Sequence, residues 1–228
     1  MSSFTTWFAD AVKRHDAVSS ATPQVSGHVH VVRKDHEPVT IAPVRADWLT
    51  PADVERILKD QISTIICLVP KQAHYSWEAR ELAMRLGSTV HTMKEVFSSL
   101  SDEDPRPFLN KDVAYARSRL EQHSKVRELR MVCESSMQLV RTDGLPPITI
   151  AVEYQYEFTE EALVAAVKHH PDATALLNAN PNGTPTTAAL AHAKAARRGL
   201  FRLGELMGAL NYDGDEFFNC RPPGGGSR

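Results

Sequence analysis

The chain has 228 residues, of which 42% are hydrophobic and 24% charged, with a formal net charge of −2 at pH 7. These are the proportions of a globular protein, and the length admits two domains of about 100 residues each. The near-neutral charge argues against a protein that binds nucleic acid through a global basic excess, and no charge run forms an acidic or basic tail.

Three cysteines, Cys67, Cys133 and Cys220, are odd in number and far apart, without a CxxC. That spacing points away from a disulfide framework and from a structural zinc motif. Met1-Ser2-Ser3-Phe4 opens an amphipathic stretch rather than a signal peptide, and no apolar run approaches a membrane span. A cytoplasmic chain with no membrane contact is expected.

In chain order, an amphipathic helix is predicted over about Phe4–Ala17. A β-hairpin follows over Val29–Val44, with its turn at Asp35-His36-Glu37. Thr50 reads as a helix N-cap with Pro51 at the first helical position. The continuously apolar Thr64–Val69 reads as a central strand covered on both faces. A further helix, a short strand at Thr89–His91 and a helix over Lys94–Leu100 close the series. The acidic, proline-bearing Ser101–Pro107 reads as a linker.

The series then repeats. A helix is predicted over Lys111–Gln122, a hairpin over Met137–Tyr156 with its turn at Asp143-Gly144, and a helix capped by Thr159 that ends near His169-His170-Pro171-Asp172. A strand at Thr174–Leu177, a helix with Thr184-Pro185 as cap and first position, a strand at Leu200–Arg202 and a helix over Glu205–Leu210 complete it. The two halves also match residue by residue. Val31-Val32-Arg33-Lys34-Asp35 and Pro38-Val39-Thr40-Ile41-Ala42 align with Leu139-Val140-Arg141-Thr142-Asp143 and Pro147-Ile148-Thr149-Ile150-Ala151. Pro70 aligns with Pro181, Ala79 and Ala83 with Ala189 and Ala193, and Glu95 and Leu100 with Glu205 and Leu210. The expectation is an α/β protein made of two tandem, diverged copies of a helix–hairpin–α–β–α–β–α unit, residues 1–101 and 102–212. A pseudo-twofold arrangement of the copies is expected, with a disordered tail over 213–228 ending in Pro222-Pro223-Gly224-Gly225-Gly226.

Two regions offer chemistry. The first is the loop Asn178-Ala179-Asn180-Pro181-Asn182-Gly183-Thr184, which follows a central strand and leads to a helix. Ligands bind at such carboxyl ends of α/β sheets, and Asn178, Asn180, Asn182, Gly183 and Thr184, with Arg141, are the candidate binding residues for a small ligand or nucleotide. The loop is neither GxGxxG nor a P-loop and has no lysine for a phosphate. It also reads as a tight turn before a capped helix.

The second region is the hairpin of the second copy. The element order, with paired alanines in the helix before the last strand and the closing Leu203-Gly204-Glu205-Leu206, resembles the catalytic domain of Mrr-type restriction endonucleases, a branch of the restriction-endonuclease-like fold. That resemblance implies an acidic residue on the first hairpin strand and Glu-x-Lys or Gln-x-Lys on the next, holding a divalent metal that activates water. The matching residues are Glu134 and Glu153-Tyr154-Gln155, so Glu134 and Glu153 become candidate metal ligands for Mg2+ or Mn2+, with Gln155 in place of the lysine. The first copy has Val44-Arg45-Ala46 there, with Ser26 near the Glu134 position, and lacks the motif.

Other groups carry less. The repeated Arg33-x-Asp35 and Arg141-x-Asp143 read as an ion pair at the turn or as a phosphate contact. His28-x-His30 would place two imidazoles on one strand face without a third ligand. Cys133 has no histidine near it in sequence for a nucleophilic pair. Asp213-Gly214-Asp215-Glu216 is too short for a calcium loop. Lys194, Arg197 and Arg198 read as a solvated helix face.

The favoured expectation is a non-catalytic binding or assembly protein of two restriction-endonuclease-like units. Its partner would be a protein, a nucleic acid or a second copy of itself in a homo-oligomer. The alternatives are a metal-dependent nuclease acting through the second copy, and a small-ligand or nucleotide binder at Asn178–Thr184.

Overall fold

A computed structural model describes residues 3–70 and 72–220. The chain is α/β with mixed sheets and divides into two compact units, Met1–Asn110 and Lys111–Arg228. Among the described residues no helix is long and apolar enough to cross a membrane.

The first unit runs α1 (Ser3–Lys13), β1 (Val18–Pro23), β2 (Val29–Arg33), β3 (Val39–Arg45), β4 (Trp48–Leu49), α2 (Pro51–Leu58), β5 (Ile65–Val69), β6 (His74–Tyr75), α3 (Trp77–Arg85), β7 (Val90–Thr92) and α4 (Met93–Ser99). Its sheet has the order β1-β2-β3-β5-β7, antiparallel from β1 to β3 and parallel from β3 to β7. Strand β5 is apolar throughout because both of its faces are covered. Ile65, Cys67 and Val69 pack with Phe8 and Val12 of α1 and Val96 of α4, whereas Ile66 and Leu68 pack with Val54 of α2 and Ala79 and Ala83 of α3. Helix α2 starts as its sequence dictates: Thr50 and Asp53 form a capping box, with Pro51 in the first turn.

The second unit runs α5 (Lys111–Glu121), β8 (Val126–Cys133), β9 (Ser136–Arg141), β10 (Ile148–Glu153), β11 (Glu157–Phe158), α6 (Glu160–His169), β12 (Ala175–Asn178), β13 (Thr184–Pro185), α7 (Thr187–Ala195), β14 (Gly199–Arg202), α8 (Leu203–Ala209) and α9 (Gly214–Asn219). The sheet order is β8-β9-β10-β12-β14, with β10, β12 and β14 parallel. Ala151, Leu176 and Leu200 lie side by side under Leu163 of α6 and Ala189 and Ala193 of α7. The Asp143-Gly144 turn places both residues at positive φ, 57° and 73°, a conformation suited to Asp-Gly.

Several polar contacts occupy the same place in each unit. The Thr64 and Thr174 hydroxyls accept the Thr40 and Thr149 amides, each at 3.2 Å. The Nδ1 atoms of His15 and His123 accept the amides of Ala17 and Lys125. The Arg33 and Arg141 guanidiniums each donate to carbonyls at the end of the last repeated helix, Leu100 and Leu210.

The structure corrects four expectations. Each predicted hairpin is a three-stranded meander, because β1 and β8 precede it. Strand β8 carries Arg127, Glu128 and Arg130 at an exposed sheet edge, where charge blunts pairing with other chains, so it lacks an apolar signature. Thr184-Pro185 forms β13, paired in parallel with β11, and the helix cap is Thr186, whose hydroxyl accepts the Ala189 amide at 3.1 Å. The segment read as a linker is held to the first unit, since Arg33 donates to the Asp102 and Glu103 carbonyls and Arg80 to those of Arg106 and Phe108. Of the residues read as a disordered tail, Gly214–Asn219 form α9, whose Phe217 is buried edge-on against Phe201. The tail residues 221–228 lie outside the described residues, as do Met1, Ser2 and Lys71.

His91 on β7 couples the first unit to pH. Its ring is fully buried and its Nε2–H donates to the Pro105 carbonyl at 2.8 Å. Burial, and then the charge of Arg80, push it from 6.5 down to about 3. The unfolded chain therefore takes up a proton below about pH 6.5 that the folded chain refuses. Stability should fall as pH drops from about 6.5 toward 3, and His91→Gln should flatten that limb in urea unfolding measured across the range. An unchanged pH profile in the variant would show that His91 is not the cause.

Candidate functional site in the second unit

The carboxyl ends of the parallel strands are where the units differ most. In the second unit Glu153, Asn178 and Arg202 stand in register at the ends of β10, β12 and β14. The equivalent residues of the first unit are Val44, Leu68 and Thr92. The row is polar in the second unit and mostly apolar in the first.

A cleft of about 370 Å³ opens at this end, between α5, the loop after β12 and the β14–α8 junction. That volume lies within the range of small-molecule sites, roughly 300–1,000 Å³. Asp112 and Tyr115 of α5, Asn178, Asn180, Arg202 and Glu205 line it. Beyond β10, Tyr154 and Tyr156 stack edge to face at 6.1 Å and are exposed. Desolvation, then Tyr156 and lastly the charge of Asp112, push the Tyr154 phenol above its usual value.

The loop after β12 is built by its asparagines. Asn178 is buried and clips the chain leaving β10: its Nδ2 donates to the Gln155 carbonyl at 3.0 Å, and its Oδ1 accepts the Gln155 amide at 3.1 Å. The same Oδ1 accepts the Asn180 amide at 3.3 Å. Asn180 Oδ1 in turn accepts the Asn182 amide at 3.0 Å. That leaves Asn180 Nδ2, buried and without a hydrogen-bond partner among the described residues. A buried donor left unpaired costs about 1–3 kcal/mol, so the cleft carries an unmet demand for an acceptor. Arg202 donates to Glu205 Oε1 at 3.1 Å, and Glu205 Oε2 accepts the Arg202 amide at 2.8 Å.

The first unit closes the corresponding place. Its matching glutamate, Glu95, is buried beneath the Tyr75 hydroxyl at 3.1 Å and beside Arg80 at 4.0 Å. At the positions of Tyr75 and Arg80 the second unit has Pro185 and Leu190.

Of the predicted binding residues, Asn178 and Asn180 reach the cleft. Asn182 and Thr184 are exposed, and Gly183 is buried beneath the loop. Arg141 lies elsewhere, a correction with a clear cause: its guanidinium is spent on the Pro146, Leu210 and Tyr212 carbonyls. The nuclease candidates Glu134 and Glu153 come to the same end of the sheet, since the Val152 amide bonds the Ser135 carbonyl at 2.8 Å. Gln155, in the place of the lysine, is fixed through its main chain by Asn178.

One group escapes sequence reading. His170 at the end of α6 lies beside the β8–β9 turn, its Nε2 at 3.3 Å from Ser135 Oγ and its Nδ1 at 4.0 Å from Cys133 Sγ. Thirty-seven residues separate Cys133 from His170, so no local spacing could reveal the pair. Burial, and then the charge of Glu134, push the Cys133 thiol up to about 11, so it is not an activated nucleophile at neutral pH. Comparison of the chain with protein-family models, curated proteins and solved structures finds no match.

Proposed function

We propose that the chain is a non-catalytic binding protein whose second unit holds a small polar molecule in the cleft at the ends of β12 and β14. The unmet Asn180 donor carries this reading. The charges of the cleft narrow the ligand class. Asp112 and Glu205 outnumber Arg202, which disfavours a multiply charged phosphate and favours a neutral or zwitterionic molecule: a sugar, a nucleoside or an amino acid. Such a ligand brings an acceptor to Asn180 and a donor or cation to Asp112.

The architecture supports descent of the two units from one by tandem duplication. The shared sheet order, the paired threonines and the paired arginines are its support. On this reading one copy kept or gained the cleft while Tyr75, Arg80 and Glu95 filled the other. The resemblance to Mrr-type restriction endonucleases remains a proposal about ancestry. Glutamine in the lysine place and Val44 in the place of Glu153 favour binding over hydrolysis.

Titration of sugars, nucleosides and amino acids, followed by thermal unfolding and amide NMR, tests the proposal. A ligand at a hundred times its Kd should stabilise the protein by about 2.7 kcal/mol, with shifts centred on Asn180 and Arg202. Asn180→Leu should keep the fold and lose that binding, and nucleotides should bind more weakly than their nucleosides. Binding that survives Asn180→Leu would sink the reading. Saturable Mn2+ binding lost in Glu153→Ala, with nucleic-acid cleavage, would move the nuclease alternative ahead.

A further inference from the structure

Three tyrosines border the cleft of the second unit. Tyr115 of α5 lines it. Tyr154 and Tyr156 follow directly on β10, whose last residue, Glu153, stands in register with Asn178 and Arg202. Helix α5 lies against β10, and the charge of Asp112 on α5 acts on the Tyr154 phenol, so the pair adjoins the α5 side of the cleft. Tyr115, Tyr154 and Tyr156 are 60%, 44% and 72% exposed, which leaves aromatic surface in water. The rings of Tyr154 and Tyr156 stand 88° apart with centroids at 6.1 Å, so they do not form a parallel-walled slot. In the first unit Arg45 and Asp47 take the places of these two tyrosines, so the aromatic pair belongs to the unit with the open cleft.

We propose that the cleft binds a neutral oligosaccharide, with one sugar on Asn180 and the next packed on Tyr154 and Tyr156; this rests on the reading of the cleft as a small-molecule site. The polar groups of the cleft ask for opposite partners. Asn180 Nδ2 is buried, has no hydrogen-bond partner among the described residues and requires an acceptor. Glu205 accepts from Arg202 at both oxygens, retains further lone pairs and, as a carboxylate, can only accept. A hydroxyl is the neutral group that answers both, because it accepts from an amide and donates to a carboxylate. A sugar carries several hydroxyls on one rigid ring. Its ring C–H groups, slightly positive, also suit the negative face of an aromatic side chain. A nucleoside's flat base is best held between stacking side chains, which perpendicular rings do not supply. An amino acid would bring its own carboxylate beside Glu205 and leave the tyrosines uncovered. Strands β10 and β12 are neighbours, about 4.8 Å apart, so a second ring linked to the first reaches the tyrosine pair.

Calorimetric titration of the full chain tests this. The probes are glucose, galactose, mannose, xylose and N-acetylglucosamine, with the α- and β-linked di- to tetrasaccharides of each. One series should bind, with amide NMR shifts at Asn180 and Arg202, and its disaccharide should bind about 3–10-fold more tightly than its monosaccharide. Replacing both tyrosines, Tyr154→Ala with Tyr156→Ala, should erase that gain. Replacing them with phenylalanine should keep it, because the contact uses the ring and not the hydroxyl. Both positions are exposed, so the paired variants should fold, as circular dichroism would verify. Asn180→Leu should lose mono- and disaccharide alike. A disaccharide no tighter than its monosaccharide, or a gain that survives the alanine pair, would overturn the proposal. Nucleosides or amino acids that bind at Asn180 where every sugar fails would overturn it too, while leaving the small-molecule reading of the cleft in place. If no probe of any class binds, both fall.

Discussion

Replacing Arg141 by alanine is expected to destabilise the protein by on the order of 3–5 kcal/mol, read as a drop in urea stability. The side chain is wholly buried. Its Nε donates to the Pro146 carbonyl at 2.8 Å, and its Nη1 to the Tyr212 carbonyl at 2.6 Å and the Leu210 carbonyl at 3.4 Å. Nη2 reaches Asp213 at 3.5 Å, and the guanidinium sits 5.6 Å from the centre of the Phe217 ring. One planar fork thus ties the β9–β10 loop, the end of α8 and the start of α9 together. Alanine removes the fork and strands buried carbonyls, each costing about 1–3 kcal/mol if water cannot reach it. Lysine should rescue little, because a single ammonium cannot span three directions. Arg33→Ala should behave alike in the first unit, where the donations run to Glu37, Leu100, Asp102 and Glu103. A loss below about 1 kcal/mol in Arg141→Ala, the worth of one ordinary hydrogen bond, would show that solvent reaches these carbonyls.

This arginine pair also shows how far the sequence could be read. The repeated Arg-x-Asp was visible as a repeated string, and a structural role at the turn was one of its two readings. The partners were not visible, because most of them are backbone carbonyls, which carry no residue identity. Lys125 takes Asp143 at the turn surface, while Arg141 reaches past it to carbonyls about seventy residues away. The helices were legible because Thr50, Thr159 and their apolar periodicity are local signals. The central strands were legible because burial on both faces makes them continuously apolar. The edge strands β1 and β8 were not, since a sheet edge demands the polar residues that conceal a strand.

The site divides along the same line. The Asn-rich loop announced itself at the end of a strand, yet its residues split into a clip, Asn178, an unmet donor, Asn180, and an exposed turn at Asn182. Composition cannot distinguish these roles, because they depend on which carbonyl each amide meets. The closure of the first unit was equally hidden. It needs Tyr75, Arg80 and Glu95 from three elements to converge, and only Glu95 was matched across the halves. A buried charge cluster of this kind is expensive to assemble, and breaking it strands the remaining charge. The first unit is therefore expected to stay closed, and binding to belong to the second.

Replacing Gly183 by valine is expected to abolish binding in the cleft and to destabilise the second unit by roughly 3 kcal/mol. The backbone here does not demand glycine; the space does. A Cβ at Gly183 would overlap the Gln155 carbonyl oxygen and the Asn178 side-chain amide, and would press on Asn180 Cβ at 3.1 Å. Those first two groups are hydrogen-bonded to each other, so the methyl groups of valine would have to part the clip that ties β10 to the loop after β12. Neither group is the free end of a flexible side chain, which leaves backbone movement as the only relief. The loop that carries Asn180 would move with it. Asn178→Ala should therefore reproduce the loss of binding by removing the clip from the other side, whereas Asn182→Ala, at an exposed position, should leave both stability and binding near wild type. Amide NMR of the three variants with a cleft ligand separates the outcomes. Wild-type binding in Gly183→Val would mean that the clip does not shape the cleft, and loss in Asn182→Ala would return the exposed turn to the site.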